Sequence, residues 1–412
     1  MEEALRGVHR VRLRTALVAC AAAIALAFGP YMPGLMQGRL PHIGDYASST
    51  LRFNYFEFGA IRRGLGGSIA YLLGPDWPTA FGMFHILTLL AVAAVFSSVF
   101  GRIRGSTPTL IAFGIVLADV IVFWRIDAGR TDSVVAVLIA LAAVAVGRGY
   151  LVPAALCLAI GLFINELSFI YGLPLITALL VNLWSATRPQ LRAVALAAAV
   201  LTLAIAGYVG LRWLPQSPTD HIVSTVRASM PKVHATDAAL YWGLLGSRVV
   251  SVGRCINNLE PNYVIHLLVA IGILGLSTFA LRGLEWRAWL LTVWTGVIPF
   301  AFLWTFASDM SRWMAMSLCS VWLAQALTPA GVQQPRRLSF GWLQVTCAAL
   351  VFVLHYPHTT WSKLPMLTPS PLIDSITFRT GISKFRASDQ TLELCDPDWK
   401  SVLGEPESPP RP

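Results

Sequence analysis

Repeated apolar runs of 15 to 23 residues, each flanked by Arg or by Pro and Gly, constrain this chain more than any other feature. A run of that length matches the thickness of a bilayer's hydrocarbon core. Inside hydrocarbon the backbone N–H and C=O groups have no water to bond, so each run must be helical. The mean hydropathy of +0.63 and a charged fraction of only 13% agree. The expected fold is all-α, a polytopic transmembrane helical bundle.

Eleven candidate spans follow, at about 15–36, 79–100, 108–125, 133–147, 150–165, 168–186, 190–211, 262–281, 287–306, 311–328 and 339–355. No stretch before residue 356 is polar for long enough to fold separately. The expected organisation is therefore a membrane domain over 1–355, with outer loops at 37–78 and 212–261. A polar extracytoplasmic tail follows over 356–412, ending in the disordered composition "GEPESPPRP". The basic start "MEEALRGVHRVRLR" runs into the first apolar stretch without a small-residue cleavage site, and reads as a retained first span.

Charge sets the orientation. With the N-terminus cytoplasmic, the inner segments receive 13 Arg against 3 Glu, so the whole formal charge of +10 falls on the inner side. This is the bias that orients bacterial inner-membrane (plasma-membrane) proteins. The basic balance thus reports topology and gives no support for nucleic acid as a partner; membrane lipids are the expected surroundings.

Under that topology the remaining charges gather on the outer side. Asp45, Glu57, Arg62 and Arg63 lie in the first outer loop, Asp127, Arg130 and Asp132 in the second, Glu166 in the third, and Asp309 with Arg312 in the fifth. Two of these groups share the spacing Asp-x-x-Arg, "DAGR" and "SDMSR", at the start of a helix descending from the outer face. Such a pair can be a helix cap with a local ion pair, since an Asp there accepts from first-turn N–H groups and an Arg three residues on lies beside it. Alternatively the five loops line one outward pocket, because ionisable groups at membrane depth are costly and mark substrate paths. Asp119, well inside the third span, is either paired structurally or at the floor of that pocket.

The first outer loop, "PHIGDYASSTLRFNYFEFGAIRRGLGGSIAYLLGPDWP", interleaves aromatics with charges. Its twin Arg beside Gly64, Gly66 and Gly67 is suited to a phosphate, because guanidinium binds phosphate bidentately and Gly permits close approach. An interfacial amphipathic helix with Arg on lipid headgroups is the other reading. The segment containing "PQSPTDHIVSTV" can cover the pocket as a lid or pack as an outer cap. No His pair has zinc-protease spacing, and no metal ligand set is evident.

In this layout the chain resembles bacterial envelope glycosyltransferases of the GT-C type and the related surface-polysaccharide polymerases. The resemblance implies an activity that transfers or polymerises sugars from a polyprenyl-phosphate-linked donor. It also implies a first-loop acid, for which Asp45 is nearest, and phosphate contacts at Arg62 or Arg63. Asp45, Asp127, Asp132, Glu166 and Asp309 are then the candidate bases for an acceptor hydroxyl. Arg62, Arg63, Arg130 and Arg312 are the candidate holders of the departing phosphate. A divalent cation could bridge carboxylate and phosphate, though no spacing demands one. Two other classes fit the same charges: a proton-coupled transporter or flippase using Asp119, and a noncatalytic subunit docking polysaccharide assembly proteins.

Of six cysteines, Cys20, Cys157, Cys319 and Cys347 fall in apolar spans and read as small core residues. Cys255 and Cys395 fall in outer segments, where they can pair across the tail or remain free.

Overall fold

The computed structural model describes residues 20–41, 51–61, 63–74, 76–103, 106–126, 130–187, 190–229, 263–305, 310–328 and 341–355, together with Val18 and Cys255. These residues are helical, and the lone backbone bridge among them joins Gly59 to Gln216. In chain order the helices are α1 (Cys20–Leu35), α2 (Tyr55–Phe58), α3 (Gly64–Leu72), α4 (Trp77–Phe100), α5 (Thr107–Ile126), α6 (Asp132–Gly147) and α7 (Leu151–Ile164). There follow α8 (Leu167–Thr187), α9 (Leu191–Gly210), α10 (Thr219–Ser229), α11 (Tyr263–Arg282), α12 (Trp286–Trp304), α13 (Met310–Leu327) and α14 (Trp342–His355). The tail expected over 356–412 lies outside the described residues.

Each of the eleven apolar segments coincides with a helix. Among the described residues five are long and apolar enough to cross a membrane: Trp77–Phe100, Thr107–Arg125, Leu167–Trp184, Leu191–Gly210 and Trp286–Trp304. Others are short. α6 has 16 residues and α7 has 14, or about 24 and 21 Å at 1.5 Å per residue, against a hydrocarbon core of about 30 Å.

The bundle is organised around α13. From Trp313 to Gln325 it is buried on every face, as expected of a helix surrounded by others rather than lying at a surface. It packs against α5, α6, α8, α11 and α12. Its serines and tryptophans bond sideways into that shell: Trp322 Nε1 donates to the Phe113 carbonyl at 2.9 Å, and Ser320 Oγ to the Tyr171 carbonyl at 3.4 Å. At its far end Arg282 donates to the carbonyls of Gln325 and of Thr328, the latter at 3.0 Å, where a cation suits the helix's negative pole. A π-helical turn over Val293–Val297 interrupts α12 where it meets α13. Gly296 sits in that turn, and a Cβ there would meet a Val321 methyl at 2.6 Å. By contrast α9 rests chiefly on α7, and Ala204 is its one buried residue.

The described residues between α1 and α4 bury Leu51, Phe53, Phe58 and Ile61. Asn54 Oδ1 accepts from the Glu57 N–H at 2.9 Å and starts α2. Gly59 takes φ +72° against Pro215, and the Ser217 N–H donates to the Phe58 carbonyl at 3.0 Å, tying this loop to the segment after α9. The following helix α10 buries Ile222, Val223 and Val226. That described part packs as a cap. The α3 glycines expected to admit a phosphate face protein instead. A Cβ at Gly67 would stand 1.8 Å from the Phe53 carbonyl oxygen, one at Gly64 2.5 Å from the Tyr55 ring, and one at Gly66 3.0 Å from a Thr131 methyl. The glycines bring helix to backbone. Gly67→Ala should therefore destabilise the protein by about 1–3 kcal/mol, since a carbonyl oxygen cannot yield as a side chain can; thermal unfolding in detergent measures the loss, and an unchanged midpoint would refute the close approach.

Candidate functional site

At one end of the bundle the first residue of α6 meets the first turn of α13. Asp132 is 1% exposed. Arg312 grips it with two parallel bonds, Nε to Oδ2 and Nη2 to Oδ1, each 2.7 Å. This fork satisfies both carboxylate oxygens in one plane, the arrangement for which guanidinium is shaped. Asn165 adds a third donor, its Nδ2 lying 3.3 Å from Asp132 Oδ1 and 3.4 Å from Thr131 Oγ1. The same side chain's oxygen accepts from the Leu167 N–H at 3.2 Å and turns the chain from α7 into α8. One helix turn deeper, Tyr171 donates to the Trp313 carbonyl at 2.9 Å and locks α8 to α13 beneath the pair.

Beside this floor lies a second, more open ion pair. Arg63 Nε donates to Glu166 Oε2 at 2.7 Å, and the Tyr208 hydroxyl, reaching from the end of α9, donates to Glu166 Oε1. The side chains of Arg63 and Glu166 are 40% and 21% exposed, against 14% and 2% for Arg312 and Asp132. Solvent thus reaches the Arg63–Glu166 pair more freely than the Asp132–Arg312 pair. Arg63 occupies the left-handed region at φ +58°, the one non-glycine residue among those described with a positive φ. That conformation costs on the order of 1–2 kcal/mol and turns its side chain toward Glu166. Arg130 is half-buried. Its charge and that of Arg63 both act on Asp132, which places three guanidinium groups around two carboxylates.

Of the residues singled out in the sequence, Arg63, Arg130, Asp132, Glu166 and Arg312 thus come together from four separate stretches of chain. Asp45, Arg62, Asp127 and Asp309 lie outside the described residues. Asp119 is fully buried within α5. Asn165 and Tyr208 were not expected at the site. An Asn preceding an apolar helix does signal a turn, but the bond to Asp132 depends on the packing of α6 against α7. Tyr208 carries no signal in the sequence, being one aromatic near the end of an apolar run. Cys255 is disulfide-bonded; Cys395, one of the two cysteines for which pairing or free thiols stood open, lies outside the described residues. Cys20, Cys157, Cys319 and Cys347 are free thiols. Among the described residues no group of three or more His, Cys, Asp or Glu stands together as a metal site.

The loop that presents Arg63 is held by a clasp between Arg52 and Glu57. Arg52, 2% exposed, binds Glu57 through both terminal nitrogens, Nη2 to Oε1 at 2.8 Å. Asn54 Nδ2 donates to the same carboxylate at 2.6 Å. The Arg52 guanidinium also lies 4.1 Å from the centre of the Trp77 ring, a cation–π contact that anchors the loop to α4. Burial raises the Glu57 carboxyl, but the hydrogen bonds from Arg52 and Asn54 outweigh it and hold the group below its ordinary value. Burial pushes the nearby Tyr55 phenol up to about 12, so it stays neutral.

Comparison with family models, with characterised proteins and with solved structures finds no match.

The Asp132–Arg312 pair and the Arg52–Glu57 clasp each carry a test. Arg312→Ala strands a buried carboxylate and should cost about 3–5 kcal/mol, whereas Asp132→Leu combined with Arg312→Met should recover most of that loss. Thermal unfolding of the three proteins decides, and equal losses in both variants would contradict a buried pair. Glu57, with its folded value depressed, contributes stability that is complete above its ordinary value of 4.5 and fades as pH falls below it. Glu57→Gln should flatten that acid limb of the unfolding midpoint against pH; an identical limb in the variant would remove Glu57 from the clasp.

Proposed function

We propose that this is a bacterial inner-membrane (plasma-membrane) protein with about eleven spans and a cytoplasmic N-terminus. On this reading it transfers or polymerises sugars from a polyprenyl-phosphate-linked donor at an outward-facing recess. The observation that carries the reading is the convergence of Arg63, Arg130 and Glu166, reachable from solvent, over the buried Asp132–Arg312 pair. The short helices α6 and α7, which fall below the thickness of the hydrocarbon core, support a recess at one of their ends. The disulfide at Cys255, in the segment that leads into α11 at the same end, supports an oxidising compartment on this side.

The chemistry divides among the residues by exposure. Glu166 takes the acceptor hydroxyl proton as the acceptor oxygen bonds to the sugar's anomeric carbon and the bond from that carbon to the phosphate oxygen breaks. Arg63 and Arg130 receive the departing phosphate, and Arg63 exchanges Glu166 for it, freeing the carboxylate to act. Asp132, sealed by Arg312, is a positioning residue that fixes the floor. The likeness to GT-C enzymes and polysaccharide polymerases rests on this layout.

The deciding experiment incubates the purified protein with polyprenyl-phosphate-linked sugars and follows release of the lipid phosphate. Arg130→Ala and Glu166→Gln should each lower turnover by about a hundredfold or more, with the unfolding midpoint unchanged. Full turnover in both variants, or none in the unaltered protein with any such donor, refutes the reading. A second reading, a proton-coupled transporter or flippase, draws on the full burial of Asp119. Uptake into proteoliposomes that Asp119→Asn abolishes would favour it.

A further inference from the structure

The opposite end of the bundle carries a feature that the reading above does not use. Helices α4 and α6 pack against each other and run in the same direction, both starting at the recess end. Their last core residues, Val99 and Val146, belong to one buried cluster. Three residues after Val99 comes Arg102, and two after Val146 comes Arg148, each exposed. Both arginines continue stripes of wholly or partly exposed positions. On α4 the exposed positions are Met83, Leu87, Leu90, Ala94 and Ser98, spaced three or four apart, and Arg102 is the next step. On α6 the partly exposed line Val134, Leu138, Leu141 and Ala145 leads in the same way to Arg148.

No acid is present in either turn, "GRIRG" or "GRGY", and neither guanidinium makes a salt bridge among the described residues. Desolvation first and then the Arg148 charge beside it both depress Arg102 below its ordinary value, so the two cations feel each other. Both sit at helix C-termini whose negative poles accommodate only part of that charge. Two guanidinium groups without a salt bridge among the described residues, at the ends of exposed stripes of parallel, packed helices, call for an anion with an apolar body.

We propose that Arg102 and Arg148 jointly bind the phosphate of an anionic phospholipid, its acyl chains lying along the exposed stripes of α4 and α6. Guanidinium pairs suit phosphate oxygens because each presents a planar set of donors. The position, at the end of the bundle away from the Asp132 cluster, makes this a lipid site separate from the proposed recess. It stands whichever way the bundle is oriented.

The test reconstitutes the full chain in vesicles of phosphatidylglycerol and phosphatidylcholine, releases it in mild detergent and counts retained lipids by native mass spectrometry. The unaltered protein should retain phosphatidylglycerol in preference to phosphatidylcholine. In the Arg102→Ala/Arg148→Ala variant that preference should fall about twentyfold, from a contribution of each arginine to anionic-lipid attraction of about fivefold. A charge-matched control, Arg192→Ala/Arg287→Ala, removes two exposed arginines from the same end of the bundle and should leave the preference intact. Arg102→Lys/Arg148→Lys, which keeps the charge and guards against misfolding, should lose only part of it. An equal fall in the control shows general attraction to a basic face and overturns the site. Displacement of the bound lipid by millimolar inorganic phosphate assigns the arginines to a soluble anion and overturns the lipid assignment. Sugar transfer is not read in any arm, so failure here leaves the recess reading to its own assay.

Discussion

The Asp132–Arg312 pair is the contact on which the rest of the site depends. A carboxylate taken out of water at the end of an apolar helix is unfavourable by several kcal/mol unless its oxygens are fully engaged. Arg312 engages both, and Asn165 adds a further donor. The requirement is geometric, and it fixes three chain segments at once: the start of α6, the start of the central helix α13, and the turn between α7 and α8. Tyr171, bonded to the Trp313 carbonyl and receiving Ser317 Oγ at 3.2 Å, extends the same network into the core.

A rigid floor allows a less constrained pair to sit above it. Arg63 and Glu166 are each bound but in partial contact with solvent, so parting them involves a smaller desolvation change than parting the sealed pair would. The direction of Arg63 is set by backbone rather than by side-chain packing alone. Its left-handed conformation holds because α3 is pressed onto residues 51–55 through Gly64 and Gly67, and because Arg52, Glu57 and Trp77 clamp the preceding turn. Strain at one residue is maintained by close packing at its neighbours. The Asp132 cluster and the arginines at the far end also differ in chemistry. Around Asp132 two carboxylates meet three guanidinium groups, while at the ends of α4 and α6 there is no acid in either turn.

Hydropathy made the helices legible, since segments that must satisfy their own backbone in hydrocarbon leave an apolar run of fixed minimum length. The eleven runs coincide with helices to within a few residues, and the gathering of Arg63, Arg130, Asp132, Glu166 and Arg312 could be anticipated from loop parity alone. The glycines of "GLGG" approach protein, yet a missing Cβ looks the same in sequence whether a ligand or a carbonyl oxygen occupies the space. Arg52 was passed over for a similar reason. A charged residue in an aromatic loop gives no sign that it will be 2% exposed beneath Trp77.

The sequence by itself determined an all-helical, apolar chain and which loop ends share a side, because length, hydropathy and charge bias act locally along each segment. Tertiary structure decided who binds whom. Arg312 finds Asp132 across 180 residues, Arg63 finds Glu166 across 103, and Tyr208 joins them from a helix that otherwise faces outward. Such partners are selected by the packing of α6, α7, α8 and α13 and by the cost of leaving a buried charge unmatched. Neither of these is written in the spacing of residues along the chain.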